Sequence, residues 1–138
     1  MAKTGKQIQG DIRRMLTGSK LAEEVSGGIY RNGYRPRDSR KEDIIVAFTT
    51  GIPDQIETGV VTVNIYVPDI DPCGNGIFVE DGRRTEQLEA LAQQWADSLT
   101  AAKSPYLFRL RQTIYTEEAP EISQHFIVVR LGFRCFGD

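Results

Sequence analysis

Residues 86–99 read EQLEALAQQWADSL, and their spacing decides the architecture. Leu88, Leu91, Ala92, Trp95 and Leu99 fall at i, i+3, i+4, i+7 and i+11, one face of a helix of about five turns. Glu86 and Glu89 complement the positive end of its dipole, and Lys103 with Pro105 marks its stop. On either side of this helix the period changes to two. Upstream, Val61, Val63, Ile65 and Val67 alternate with Thr62, Asn64 and Tyr66. Downstream, Ile127, Val129, Leu131, Phe133 and Cys135 alternate through 126–136. Strands apolar on one face need a cover, and an amphipathic helix of matching width supplies it. The spacing therefore predicts an α+β fold: an antiparallel or mixed sheet of about five strands with the long helix packed on one face. Trp95 belongs to the core in this reading, not to a stacking platform for bases.

The other elements extend outward from that centre. Ile8, Ile12, Met15 and Leu16 form a helical stripe ending near Gly18, the expected N-terminal helix. Ser19 is placed to cap a further turn holding Leu21 and Val25. Residues 29–34 read as a short strand, and 44–50, apolar on both faces, as a central one. Residues 106–115 read as one strand joined to the last by TEEAPEISQ. The 68–82 connection is long and rich in Asp, Gly and Pro. With 138 residues and no internal repeat or linker, the chain reads as one domain, 1–138.

Composition narrows the function classes. A net charge of −2 gives no global pull towards nucleic acid or anionic membrane, so any such contact must be local. The start MAKTGKQIQGD has no apolar leader, and no apolar run approaches the roughly 18 residues of a membrane span. A soluble, cytosolic setting is expected. Cys73 and Cys135 make neither a zinc spacing nor a disulfide framework and are expected as thiols, with one bridge left open.

Signatures of catalysis are sparse. His125 is the only histidine and opens the last strand without a neighbouring nucleophile. Lys6 follows Thr4 and Gly5 but lacks the upstream glycine and strand of a phosphate loop. No enzymatic activity and no cofactor are expected. One motif merits a trial: DIDPCGNGIFVE, residues 69–80, nearly copies a calcium loop, with Asp69, Asp71, Gly74 and Glu80 in phase. Cys73 at the fifth position and a strand in place of the entering helix count against it. A calcium-binding or adaptor domain using this loop is one alternative function.

The cations form two groups. Arg31, Arg35, Arg37, Arg40 and Lys41 crowd ahead of the central strand, interleaved with Asp38, Glu42 and Asp43. Pro36 sets the backbone there and biases Arg35 to an extended form, so 34–39 reads as the tip of an exposed arm whose Arg35 and Arg37 reach a partner. Arg109, Arg111, Arg130 and Arg134 share the sheet face away from the helix, with Phe126, Val128 and Phe136. Four adjacent arginines are costly unless anions answer them. A mixed apolar and arginine face suits a protein interface; a nucleic-acid contact is the other alternative.

GGIYRNGYRPRDSRKEDIIV, then GVVTVNIYVPD, the helix LEALAQQWADSL and the closing HFIVVRLGFRCF together resemble the small tail-terminator or tail-completion proteins of the head–tail joining neck of long-tailed bacteriophages. The element order and length agree as well. The resemblance implies a non-enzymatic virion subunit, made in the bacterial cytoplasm, that forms a homo-oligomeric ring, commonly a hexamer. Such a ring caps the tail tube protein, offers a docking surface to a head-completion or connector protein, and meets DNA only as it passes through. Arg35, Pro36, Arg37, Arg109, Arg111, Phe126, Arg130 and Arg134 would then be contact residues, and no catalytic residue carries over.

Overall fold

The computed structural model describes residues 2–101 and 104–136; Lys103 lies outside them. The fold is α+β, a mixed six-stranded sheet with three α-helices. The helices are α1 (Gly5–Leu16), α2 (Lys20–Glu24) and α3 (Gly82–Ala101). The strands are β1 (Ile29–Arg31), β2 (Ile44–Ile52), β3 (Glu57–Pro68), β4 (Tyr106–Leu110), β5 (Tyr115–Ala119) and β6 (Gln124–Cys135). Spatial order is β1-β2-β3-β6-β4, and β5 pairs with a further stretch of β6. Only β1 and β2 run parallel; the other pairs are antiparallel.

Each helix begins where the sequence caps it. The Thr4 hydroxyl accepts from the Gln7 amide while the Gln7 side chain accepts from the Thr4 amide, a reciprocal capping box. Ser19 caps α2 by accepting from the Ala22 amide at 3.1 Å. Ile8, Ile12 and Leu16 of α1 and Leu88, Ala92, Trp95 and Leu99 of α3 bury against Val46, Val61, Val63, Ile65, Val129, Leu131 and Phe133. Helices α1 and α3 cover one side of the sheet and α2 packs on α3; among the described residues no α-helix lies on the other side.

Two boundaries differ from the sequence reading. The sheet has six strands because 106–115 is not continuous. After β4 the chain bends, turns Ile114 into the core, and resumes as β5 against the other end of β6. Residues read as the connection TEEAPEISQ thus supply most of β5. Strand β1 is also short, only three residues, because a turn closes at its end, where the Tyr34 amide donates to the Arg31 carbonyl and Gly33 takes a positive φ; its neighbour β2 runs parallel. A parallel neighbour demands a crossover, and here residues 32–43 make it without a helix.

Candidate interaction face

A helix-free crossover leaves its polar groups without a regular ladder, so side chains must satisfy them. Asp43, 1% exposed, does this at the foot of β2. It accepts from the Gly28 amide at 2.9 Å, the Ser39 hydroxyl at 2.5 Å and Arg35 Nε at 2.8 Å. Arg35 Nη2 also donates to Gln124 Oε1 at 2.9 Å, and its guanidinium lies 4.4 Å from the centre of the Tyr66 ring. Tyr66 in turn stacks on Phe126 at 5.1 Å. Gly27 is required here, since a Cβ would stand 1.9 Å from Asp43 Oδ1 and 2.6 Å from the Glu42 carbonyl.

Arg35 is therefore corrected: it is not an arm-tip residue free for a partner but the clamp that folds the crossover onto its own sheet. Arg40 is tied down too, donating to the Ile122 carbonyl at 2.7 Å, and Arg31 lies over the Tyr34 ring. Pro36 and Arg37 remain exposed. Phe126, stacked and half-buried, is largely withdrawn from the surface, and Val128 is buried although it points away from the helices.

Burial by itself pushes the Asp43 carboxyl up, but hydrogen bonds from Arg35, Ser39 and Gly28 outweigh it and hold its pKa low. Asp11 behaves alike: burial raises it, while bonds from Lys3 and Tyr106 and the charges of Lys3 and Arg14 bring it down. Groups depressed by folding contribute stability that is complete above the unfolded carboxylate range, near pH 4, and lost as pH falls through their native values. Chemical denaturation at a series of pH values should show stability level above about pH 4 and falling steeply below it, with a shallower fall in Asp43→Asn.

The open face of the sheet gathers its remaining cations at one end. Cross-strand rows there run Thr50–Val60–Gly132–Arg109 and Ile52–Thr58–Arg134–Leu107. Between them lies a groove of about 620 Å³ whose rim carries Arg109, Arg111 and Arg134 and no carboxylate. Gly132 forms its floor; a Cβ there would come within 2.9 Å of the Arg111 side chain. Ile52, at 64% exposure, and Leu107, at 54%, flank it, and Phe136 is exposed just beyond. The three arginines make no ion pair with any described residue. Arg130 lies a row inward, with Nη1 donating to Gln112 Oε1 at 3.3 Å and its Nε buried without a partner. So Arg109, Arg111 and Arg134 come together as read from the sequence, with Arg130 behind them.

The 69–80 loop takes a different form from a calcium loop. Asp71 turns inward to accept from the Asn75 and Gly76 amides. Asp69 holds His125 Nδ1 at 2.6 Å, and Glu80 accepts from the Thr85 hydroxyl at 2.6 Å. The calcium reading of Asp69, Asp71 and Glu80 is not supported by this geometry. Asp69 and Glu80 flank the His125 ring, with Glu80 Oε1 3.8 Å from Nε2, while Asp71 is taken up by the turn amides. Among the described residues no three potential ligands converge on one point. The loop instead presents Ile70, Ile77, Phe78 and Val79, each at least 40% exposed.

Several of these residues escaped the sequence reading. Leu107 is apolar on the strand face opposite Tyr106 and Phe108, a visible break of alternation. Ile77, Phe78 and Val79 are three apolar residues in a stretch otherwise signalling turns. Gly132 in a long strand was the one hint of a floor.

No protein-family model matches the chain, and no curated protein does. Among solved structures, one whose name carries no biochemical description resembles it over 94% of each chain, with 14% identity and a TM-score of 0.48. That likeness is too distant to carry an argument about function.

Proposed function

We propose that the chain is a non-enzymatic assembly subunit of the tail-terminator type, a component of a phage virion assembled in the host cytoplasm. It closes into a homo-oligomeric ring, seats on the end of a tail tube and presents a surface to the head-completion protein. The observation that supports this is the groove on the open sheet face. Arginines without an ion-pair partner among the described residues, one of them over the Phe136 ring, beside exposed Ile52, Leu107 and Phe136 suit a protein interface. Arg37, exposed at the crossover, is a second contact to the ring or tube.

Incubation with purified tail tubes that lack a terminator tests this. Negative-stain images should show a ring-shaped cap at one tube end, and the capped tubes should no longer extend when tube protein is added. Tubes that stay bare and keep growing would overturn the reading. Retention on DNA instead, weakening with salt, would reassign the arginine face to nucleic acid.

A further inference from the structure

The groove and the exposed loop occupy opposite ends of β3. We propose that they are the two halves of one contact: the 70–80 tip of one copy seats in the arginine groove of a second copy, and the contact repeats head to tail. This rests on the ring-subunit reading above and specifies how such a ring is joined.

Their chemistry is complementary. Residues 69–81 carry four carboxylates, Asp69, Asp71, Glu80 and Asp81, and no cation. The groove carries three arginines and no acid. Asp69, Asp71 and Asp81 are partly sheltered, but Glu80 sits beside the apolar tip with its side chain 38% exposed, placed to meet a guanidinium. Apolar parts match as well. Ile77, Phe78 and Val79 project from the tip, while Ile52, Leu107 and the side chain of Val60 line the groove. With only a hydrogen at Gly132, the Arg111 side chain lies flat on the floor, where its guanidinium can face an aromatic ring such as that of Phe78.

The tip is held in place rather than free. Ile70 and Val79 exchange two backbone hydrogen bonds of 2.9 Å, and Asp71 and Asn75 fix the turn by accepting from the Asn75, Gly76 and Ile77 amides. Asp69 through His125 and Glu80 through Thr85 tie its two ends to β6 and α3. An apolar knob already ordered loses little entropy on docking.

Position excludes self-filling. Thr58 lines the groove and Pro68 leads into the loop, ten residues along one strand, or about 33 Å. The knob must therefore enter the groove of another copy. Two different patches make a heterologous contact, which propagates and closes into a ring when its rotation permits. One contact thus accounts for both exposed surfaces.

Two variants at exposed positions separate the halves: Phe78→Glu disables the tip, and Arg109→Glu with Arg134→Glu disables the groove. Circular dichroism and melting confirm that both fold. Sedimentation should find each variant monomeric at concentrations where the parent assembles, with the dissociation constant raised about 30-fold or more. An equimolar mixture should give a two-chain species and stop there, since the tip variant keeps a groove and the groove variant keeps a tip. If both variants assemble like the parent, the contact lies elsewhere and this inference falls while the ring reading stands. If each is monomeric but the mixture does not pair, the contact is not tip in groove. A parent that stays monomeric, alone and on tubes, overturns both.

Discussion

Asp43→Ala lowers the unfolding free energy by roughly 3 kcal/mol, the loss expected when one partner of a buried ion pair is removed and the other stays. The Gly28 amide, the Ser39 hydroxyl and Arg35 Nε all lose their acceptor at once. Arg35 keeps Gln124 and the Tyr66 ring, and at 14% side-chain exposure it regains some water, which places the loss at the lower end of the range. For a chain of this length that is a fall in melting temperature of about 10 °C. Arg35→Ala should lose somewhat less, because Asp43 retains two donors. The cycle through the double variant should show a coupling of 1 kcal/mol or more. Arg37→Ala should change stability by less than about 0.5 kcal/mol, as expected for an exposed residue away from such a network. Thermal melts of these four proteins check the set. Equal, small effects at Arg35 and Arg37 would mean that the crossover is a solvated loop.

Trp95→Ala should cost roughly 4 kcal/mol, the largest effect expected from a single substitution here. Trp95 is 4% exposed and packs among the core residues between the helices and the sheet. Its Nε1 donates to the Met15 carbonyl at 3.4 Å, linking α3 to the end of α1. Truncation removes the indole, leaves a cavity and frees that carbonyl. Trp95→Phe should recover more than half the loss by refilling most of the volume. Denaturant titration measures both; a loss below about 1 kcal/mol for the alanine variant would place Trp95 outside the core.

These two residues also mark what was legible in the sequence. Trp95 was, because its partners recur along one helix face and the period itself reports burial. Strands β3 and β6 were legible for the same reason, with one face packed and the other open. Arg35 was not. Its ligands lie 8 residues away at Asp43 and 89 away at Gln124, and no local pattern joins them. An arginine in a Pro-containing polar run looks solvated until the fold brings a buried carboxylate beneath it. The break between β4 and β5 was hidden because 106–115 alternates well enough to pass for one strand. The docking face was half legible: alternation placed Arg109, Arg111 and Arg134 on one side of the sheet. What it could not supply was the packing of Arg111 over Gly132 or the order of a loop written in turn residues.

The most direct measurement is sedimentation velocity of the unmodified chain from micromolar to near-millimolar concentration, at low and high salt. The account predicts a monomer that gives way to one closed species of several chains as concentration rises, with salt shifting the balance back because charge complementarity draws tip to groove. A single-chain species at every concentration and salt, or an isologous dimer that grows no further, would contradict it.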